Sequence, residues 1–155
     1  MTLSDYFKKA LQEKWAVPHF NISTFEQLKA IVNVAKRLKT PLHIGTSEGE
    51  SKYLGLAQSV ALCRAFSEES GVPIFLNADH FHSVDMAKAA IDAGYDSINI
   101  DLSGQSYEEN VAGAKTIVEY AKAKNPDISV EGELGYLRGS SQLQHEVIEI
   151  KPEDM

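Results

Sequence analysis

Short apolar segments alternate with amphipathic helical segments along most of the chain, and this alternation constrains the fold more than any other feature. Five apolar runs have the length and composition of buried strands: 15–21, 41–46, 73–78, 97–100 and 128–130. Apolar residues at helical spacing fill the segments between them, and a further helix is predicted at about 4–14. Strands that alternate with single helices are joined by right-handed crossovers. The sequence therefore predicts an α/β fold with a parallel sheet, preceded by a helix.

The turn after the first predicted strand favours a barrel over an open sheet. A dinucleotide-binding open sheet normally has a glycine-rich turn at this point, whereas Phe-Asn-Ile-Ser-Thr at 20–24 contains no glycine. A closed (β/α)8 barrel takes roughly 200 residues or more. Five strands in 155 residues therefore predict a partial (β/α)8 barrel, as a single incomplete domain over 1–155. The periodicity stops after Gly135, so 136–155 is predicted to be a loop or irregular tail.

Charge and composition argue against several classes of partner. The net charge is −7 and the Lys and Arg residues are dispersed, which disfavours nucleic acid and anionic membrane as partners. No stretch approaches the roughly 18 apolar residues of a membrane span, and the first residues lack the apolar region of a signal peptide. The single cysteine, Cys63, cannot form an internal disulfide, which fits a reducing compartment. We therefore expect a cytoplasmic protein.

Polar and ionisable residues recur where the predicted strands end. In parallel β/α folds the loops at the carboxyl ends of the strands build the catalytic site. These ends carry the following residues: Asn21, Ser47, Glu48, Asp79, His80, Asp101, Glu131 and Glu133. Carboxylates beside an imidazole at one rim suggest a metal site or an acid/base pair, although polar core residues satisfied by neighbours give the same pattern. His19 and His43 lie inside apolar runs and are predicted to be core or lumen histidines bonded to a neighbour.

The doublet Asp79-His80 is the sharpest feature of this rim. Adjacent strand residues point to opposite faces unless the strand is ending, where both side chains can reach the mouth. Neutral His80 is suited to ligate zinc while Asp79 transfers a proton beside it; the structural alternative is that Asp79 caps the helix that begins near Ser83. His82 completes the H-x-H spacing of some zinc sites, a spacing that is also frequent by chance.

Several motifs, in order along the chain, resemble those of class II ketose-bisphosphate aldolases. They include Ala-Val-Pro-His-Phe-Asn at 16–21, Thr-Ser-Glu-Gly at 46–49, Ala-Asp-His at 78–80, Ser-Ile-Asn-Ile-Asp at 97–101 and Val-Glu-Gly-Glu-Leu-Gly at 130–135. The resemblance runs from about residue 3 to residue 139 and implies the N-terminal portion of a (β/α)8 barrel. It implies a zinc-dependent lyase of glycolysis and carbohydrate metabolism. Such an enzyme reversibly cleaves fructose or tagatose 1,6-bisphosphate to dihydroxyacetone phosphate and glyceraldehyde 3-phosphate.

The resemblance also implies a role for each rim residue that it matches. Asp79 matches the acid/base that exchanges a proton with the C4 hydroxyl of the sugar phosphate, and His80 matches the first ligand of the catalytic zinc. Asp101 and Glu133 match carboxylates assigned to a second or alternative divalent metal. Two residues are assigned to substrate binding: Ser47 and Asn21.

Two departures from the family pattern bear on these expectations. A glycine usually follows the Asp-His pair, and Phe81 and His82 stand there instead, which leaves the substrate preference open. The family takes its other two zinc-binding histidines from later strands, and a catalytic zinc site usually has three protein ligands. We therefore expect an incomplete zinc site and an inactive isolated chain. Its unpaired sheet edges should favour homo-oligomerisation or complementation by a C-terminal barrel half.

Two other hypotheses stay open at this point. A non-catalytic half-barrel that serves as a binding or assembly module, or that is the remnant of a disrupted aldolase gene, accounts for the missing strands. A metal-free barrel enzyme that handles phosphates accounts for the parallel β/α repeats alone.

Overall fold

A computed structural model of the chain describes residues 1–135, and the tail predicted at 136–155 lies outside them. Helices and strands follow one another as α1 (Leu3–Glu13), β1 (His19–Asn21), α2 (Phe25–Leu38), β2 (Leu42–Ser47), α3 (Glu48–Leu54), α4 (Leu56–Ser70), β3 (Ile74–Phe81), α5 (Val84–Ala93), β4 (Ser97–Ile100), α6 (Tyr107–Lys124) and β5 (Ser129–Gly132). The five strands are parallel and pair in the order β1-β2-β3-β4-β5. This open sheet confirms the predicted α/β architecture and agrees with a partial barrel.

The two faces of the sheet carry different side chains. Ile44, Leu76 and Ile98, at alternating strand positions, are fully buried in the core between sheet and helices. Polar residues occupy intervening positions and bond to one another across the other face. Ser97 Oγ lies 2.7 Å from His43 Nε2 and donates to Asn77 Oδ1 at 2.8 Å. The face that carries Ile44, Leu76 and Ile98 therefore builds the apolar core, and the opposite face carries the polar network.

The capping-box pattern Ser-Thr-Phe-Glu at 23–26 predicts Ser23 as the N-cap of α2. This prediction was wrong, because Thr24 is the N-cap and Gln27 is its capping-box partner. Both S-x-x-E and T-x-x-Q fit the capping-box pattern, and Ser23 Oγ donates instead to Glu50 at 2.7 Å. The short helix α3 was not predicted at all.

The prediction of a cytoplasmic location stays a prediction. Within residues 1–135, no helix is both long enough and apolar enough to cross a membrane. The single-domain boundary at 1–155 likewise stays a prediction.

Acid should destabilise the fold through His43. Burial lowers the pKa of His43 from 6.5 to about 3, and the nearby His19 acts in the same direction. The unfolded chain therefore binds this proton at a higher pH than the folded chain, so acid favours the unfolded state between these pKa values. We expect His43 to lower the free energy of unfolding by about 1.4 kcal/mol for each pH unit within that window.

Urea unfolding at several pH values measures this effect. The His43→Gln variant carries an amide that cannot be protonated, so its unfolding free energy should fall less steeply with acid than that of the wild type. Equal slopes in the two proteins would show that His43 does not titrate as its burial requires.

Candidate active site

The carboxyl rim of the sheet brings four of the predicted site residues together as two contacting pairs. Asn21 Nδ2, at the end of β1, donates to Asp79 Oδ2 of β3 at 2.7 Å. His80 Nδ1 lies 2.9 Å from Asp101 Oδ2, just after β4. Ser47, at the end of β2, stands in register with Asp79. The predicted rim therefore contains specific contacts that join β1 to β3 and β3 to the end of β4.

A β-bulge presents Asp79 and His80 side by side. The pairing of β3 with β4 shifts between Ala78 and Phe81, so that two residues of β3 stand opposite one residue of β4. Phe81 consequently enters the core and is 0% exposed, while the two preceding side chains stay accessible. His80 takes a φ of 48°, in the left-handed region that costs energy for a residue with a Cβ. The prediction that the strand ends at 78 was wrong, because β3 continues through the bulge to Phe81.

The structural alternative for Asp79 was also wrong. Ser83 is the N-cap of α5, and its hydroxyl accepts a hydrogen bond from the Met86 N–H. Asp79 is therefore free of any helix-capping role at α5.

Asp101 fixes the ring of His80. Its side chain is 2% exposed, with Oδ2 on His80 Nδ1 and Oδ1 accepting from the Ser103 N–H at 3.1 Å and from the Ser103 hydroxyl. Burial alone would raise the pKa of Asp101, but the bonds from Ser103 and His80 outweigh it and lower that pKa. Burial alone would lower the pKa of His80, but the Asp101 bond and the charges of Asp79, Asp101 and Glu133 raise it overall. A carboxylate only accepts, so the proton sits on Nδ1 and neutral His80 has its lone pair on Nε2.

His82 is anchored to the same residue through a different atom. Its Nδ1 lies 2.9 Å from the backbone oxygen of Asp101, and its backbone N–H donates to Glu48 Oε1 at 3.0 Å. A backbone carbonyl only accepts, so His82 also carries its proton on Nδ1 when neutral. The two imidazoles of the H-x-H spacing thus share Asp101 as their anchor.

Glu50 is a rim carboxylate that the sequence interpretation missed. It accepts from the Ser47 N–H at 2.7 Å and from Ser23 Oγ at 2.7 Å, and Asn21 Nδ2 lies 3.5 Å away. Burial alone would raise the pKa of Glu50, but these hydrogen bonds lower it. The signal that could have found Glu50 is the S-x-x-E capping box that it forms with Ser47 at the start of α3.

Glu133 lies just beyond β5. Its backbone carbonyl accepts from Asn110 Nδ2 at 2.7 Å, which ties this position to α6. Its negative charge is one of those that raise the pKa of His80. The carboxylate therefore belongs to the electrostatic surroundings of the rim.

The described residues fit one corner of a zinc site. Between residues 1 and 135, no three His, Cys, Asp or Glu side chains are grouped to hold a metal ion. His80 nevertheless has the arrangement of a zinc-binding histidine, with one ring nitrogen held by a carboxylate. One oxygen of Asp101 bonds to His80 and the other accepts from Ser103. This arrangement suits a carboxylate that orients a metal-binding histidine. The ligand roles of His80, Asp101 and Glu133 stay predictions.

Comparisons with known proteins agree with the sequence motifs. The family model described as fructose-bisphosphate aldolase class-II matches residues 1–155. A protein named fructose-bisphosphate aldolase from Geobacillus stearothermophilus is 38% identical over 142 residues, which cover 90% of this chain and 49% of that protein. A protein of the same name from Treponema pallidum (strain Nichols) is 36% identical over 140 residues, covering 87% and 42%.

Solved structures share the fold. The crystal structure of the YdjI aldolase from Escherichia coli K12 superposes with a TM-score of 0.77 at 25% identity and covers 88% of this chain and 53% of that one. The fructose-bisphosphate aldolase of Campylobacter jejuni has a TM-score of 0.74 at 23% identity, covering 86% and 46%. The chain thus spans about half the length of the relatives that it matches.

Proposed function

The chain belongs to the class-II fructose-bisphosphate aldolase family, and from this premise we propose that it supplies the acid/base and one zinc-binding histidine of a ketose-bisphosphate aldolase. The reaction is the reversible cleavage of fructose or tagatose 1,6-bisphosphate to dihydroxyacetone phosphate and glyceraldehyde 3-phosphate. The observation that carries the proposal is the bulge that holds Asp79 and His80 side by side at the rim. The family match over the whole chain supports it.

Asp79 is the proposed acid/base. It takes the proton of the C4 hydroxyl as the bond between C3 and C4 breaks, and it returns that proton in the reverse reaction. Ser47 is proposed to contact the substrate, since it stands in register with Asp79 at the same rim. The assignment made from the sequence places Asn21 beside it as a second substrate contact.

His80 is the proposed zinc ligand of this part of the barrel. The bond from Nδ1 to Asp101 holds the ring and leaves Nε2 for the metal. A bound zinc ion supplies polarisation of the ketone and stabilises the negative charge that cleavage generates. Glu133, whose charge acts on His80, is proposed with Asp101 for a second divalent cation. Zinc needs further ligands from outside the described residues.

We propose that further strands complete the barrel, either from a C-terminal half or from another copy of the chain. β1 and β5 form the two edges of the sheet, so each pairs on one side only within residues 1–135. Such edges offer backbone donors and acceptors to an added strand. The isolated chain is accordingly proposed to be inactive.

A complemented barrel tests this function. It consists of this chain together with the part of the Geobacillus stearothermophilus relative that lies outside the matched residues, either mixed or fused, and size-exclusion chromatography checks its assembly. We expect cleavage of fructose 1,6-bisphosphate that a chelator abolishes and zinc restores, with no activity from either half alone. Tagatose 1,6-bisphosphate, assayed in parallel, reports the sugar preference.

His80→Ala is the matched variant for the zinc role. In an assembled barrel, zinc should no longer restore cleavage to this variant after chelation, because a ligand is lost. An assembled, zinc-supplied wild-type barrel that cleaves neither sugar would reject the aldolase proposal and favour a non-catalytic half-barrel.

A further inference from the structure

We infer that Asn21 and Gly45 form a positioning device for Asp79, and that Asn21 serves proton transfer instead of contacting the substrate. The inference rests on the proposed function, because Asp79 is the proposed acid/base. The contacts of Asn21 thus assign it to positioning Asp79, in place of the substrate binding that the sequence predicts.

The donor end of the Asn21 amide faces two carboxylates. Nδ2 donates to Asp79 Oδ2 at 2.7 Å and lies 3.5 Å from Glu50 Oε2. The first distance is that of a strong, charge-assisted bond, and the second is at the outer limit of a hydrogen bond. Asn21 therefore holds one oxygen of Asp79, and this contact leaves Oδ1 as the oxygen that exchanges the proton.

Glu50 is a fixed negative charge that keeps the amide turned toward the rim. Ser23 Oγ and the Ser47 N–H each hold its carboxylate at 2.7 Å. A carboxylate held at two points cannot turn away, so it favours the Nδ2 end of Asn21 over the Oδ1 end. The direction of the amide, which an isolated asparagine leaves undetermined, is thereby set by charge.

Gly45 provides the space in which the Asn21 side chain lies. It stands in register with Asn21 in the pairing of β1 with β2. A Cβ at this position would lie 2.6 Å from Asn21 Oδ1 and 2.7 Å from His19 Nε2. Both clashes are with side-chain ends, so an added methyl group would displace the amide of Asn21 while the strands stay paired. Gly45 thus sets the position of Asp79 without touching it.

This geometry commits the donor end of the Asn21 amide to Asp79 and Glu50. The Oδ1 end lies over the Cα of Gly45. A positioning role and a substrate contact have different kinetic signatures. Loss of positioning lowers kcat with little change in KM, whereas loss of a uniform substrate contact raises KM at constant kcat.

The kinetic test uses Asn21→Ala, Gly45→Ala and Gly49→Ala in the complemented barrel. We expect kcat to fall on the order of 10- to 100-fold in the first two variants, because a misplaced catalytic group loses its reacting geometry. KM should stay within about twofold. Gly49→Ala is the matched control, since its added methyl group lies 4.0 Å from Ser47 Oγ, and it should behave like the wild type. A raised KM at constant kcat for Asn21→Ala, or an unchanged kcat for Gly45→Ala, would overturn the inference.

A second measurement on the 155-residue chain does not depend on activity. The side-chain amide of Asn21, observed by 15N NMR, should show a proton that is shifted downfield and exchanges slowly, because it is donated to a carboxylate. Asp79→Ala and Gly45→Ala should both abolish this signature, and Gly49→Ala should preserve it. A signature unchanged in Gly45→Ala would overturn the inference even if the complemented barrel is inactive. An inactive wild-type barrel with the expected NMR result would instead reject the proposed function alone.

Discussion

Asp79→Asn should lower the rate of ketose-bisphosphate cleavage by the complemented barrel by about 10²- to 10⁴-fold. The new amide neither takes nor releases the C4 hydroxyl proton, so the acid/base contribution is lost. The substitution keeps the size of the side chain, and the amide oxygen can still accept the bond that Asn21 Nδ2 donates at 2.7 Å. The fold should therefore be retained. Steady-state kcat and KM for fructose 1,6-bisphosphate at neutral pH give the measurement.

Asp127→Asn is the matched control for this loss. Asp127 is exposed in the turn before β5, so the same chemical change there should leave the rate unaltered. A rate for Asp79→Asn within about twofold of the wild type would remove Asp79 from the acid/base role. Loss of activity in Asp79→Asn but not in His80→Ala would instead support a metal-free enzyme.

The regular elements could be predicted because burial leaves a pattern in the sequence. Ile44, Leu76 and Ile98 each lie within a compact run of buried residues in β2, β3 and β4. The helix α3 could not be found in this way. It has seven residues, of which Ser51 alone is buried, so it carries no apolar stripe. Its start was nevertheless encoded, since the capping box at Ser47 needs no long-range information.

The composition of the rim could be predicted, but its contacts could not. Strand ends are positions in a sequence, so the doublet Asp79-His80 could be located from topology alone. The bond between Asn21 and Asp79 joins residues 58 positions apart, and its geometry depends on the register of β1, β2 and β3 and on the space above Gly45. Glu50 had a local signal in its capping box with Ser47, but its contact with Ser23, on the loop after β1, depends on tertiary structure.

The bulge had a sequence signal that admits two interpretations. The order apolar, Asp, His, apolar at 78–81 breaks the alternation of a strand, which fits either a strand end or an inserted residue. A strand end is the simpler interpretation, and it was wrong because Phe81 returns to the core. Burial of that ring offsets the cost of the left-handed backbone at His80, which is roughly 1–3 kcal/mol. Phe81, which stands where the family usually has a glycine, thus accounts for the geometry of the Asp79-His80 doublet beside it.

Phe81→Ala should lower the free energy of unfolding by about 3–5 kcal/mol. The ring is 0% exposed within the core cluster, and its removal leaves a cavity behind the bulge. Phe25→Ala is the matched control, because that ring is 45% exposed and its loss should cost about 1 kcal/mol or less. Urea unfolding of the 155-residue chain measures both variants. A cost for Phe81→Ala no larger than that for Phe25→Ala would contradict the packing seen at the end of β3.

The same substitution should also weaken metal binding, because Phe81 anchors the strained residue before it. His80 keeps its φ of 48° between the buried ring on one side and the bond to Asp101 on the other. Without the ring, the backbone can relax and the imidazole is no longer held against Asp101. Zinc affinity of the complemented barrel should then fall by roughly 10- to 100-fold, the usual cost of losing a group that orients a ligand. A variant that loses stability but keeps its zinc affinity would show that the pairing of β3 with β4 fixes the bulge without help from the core.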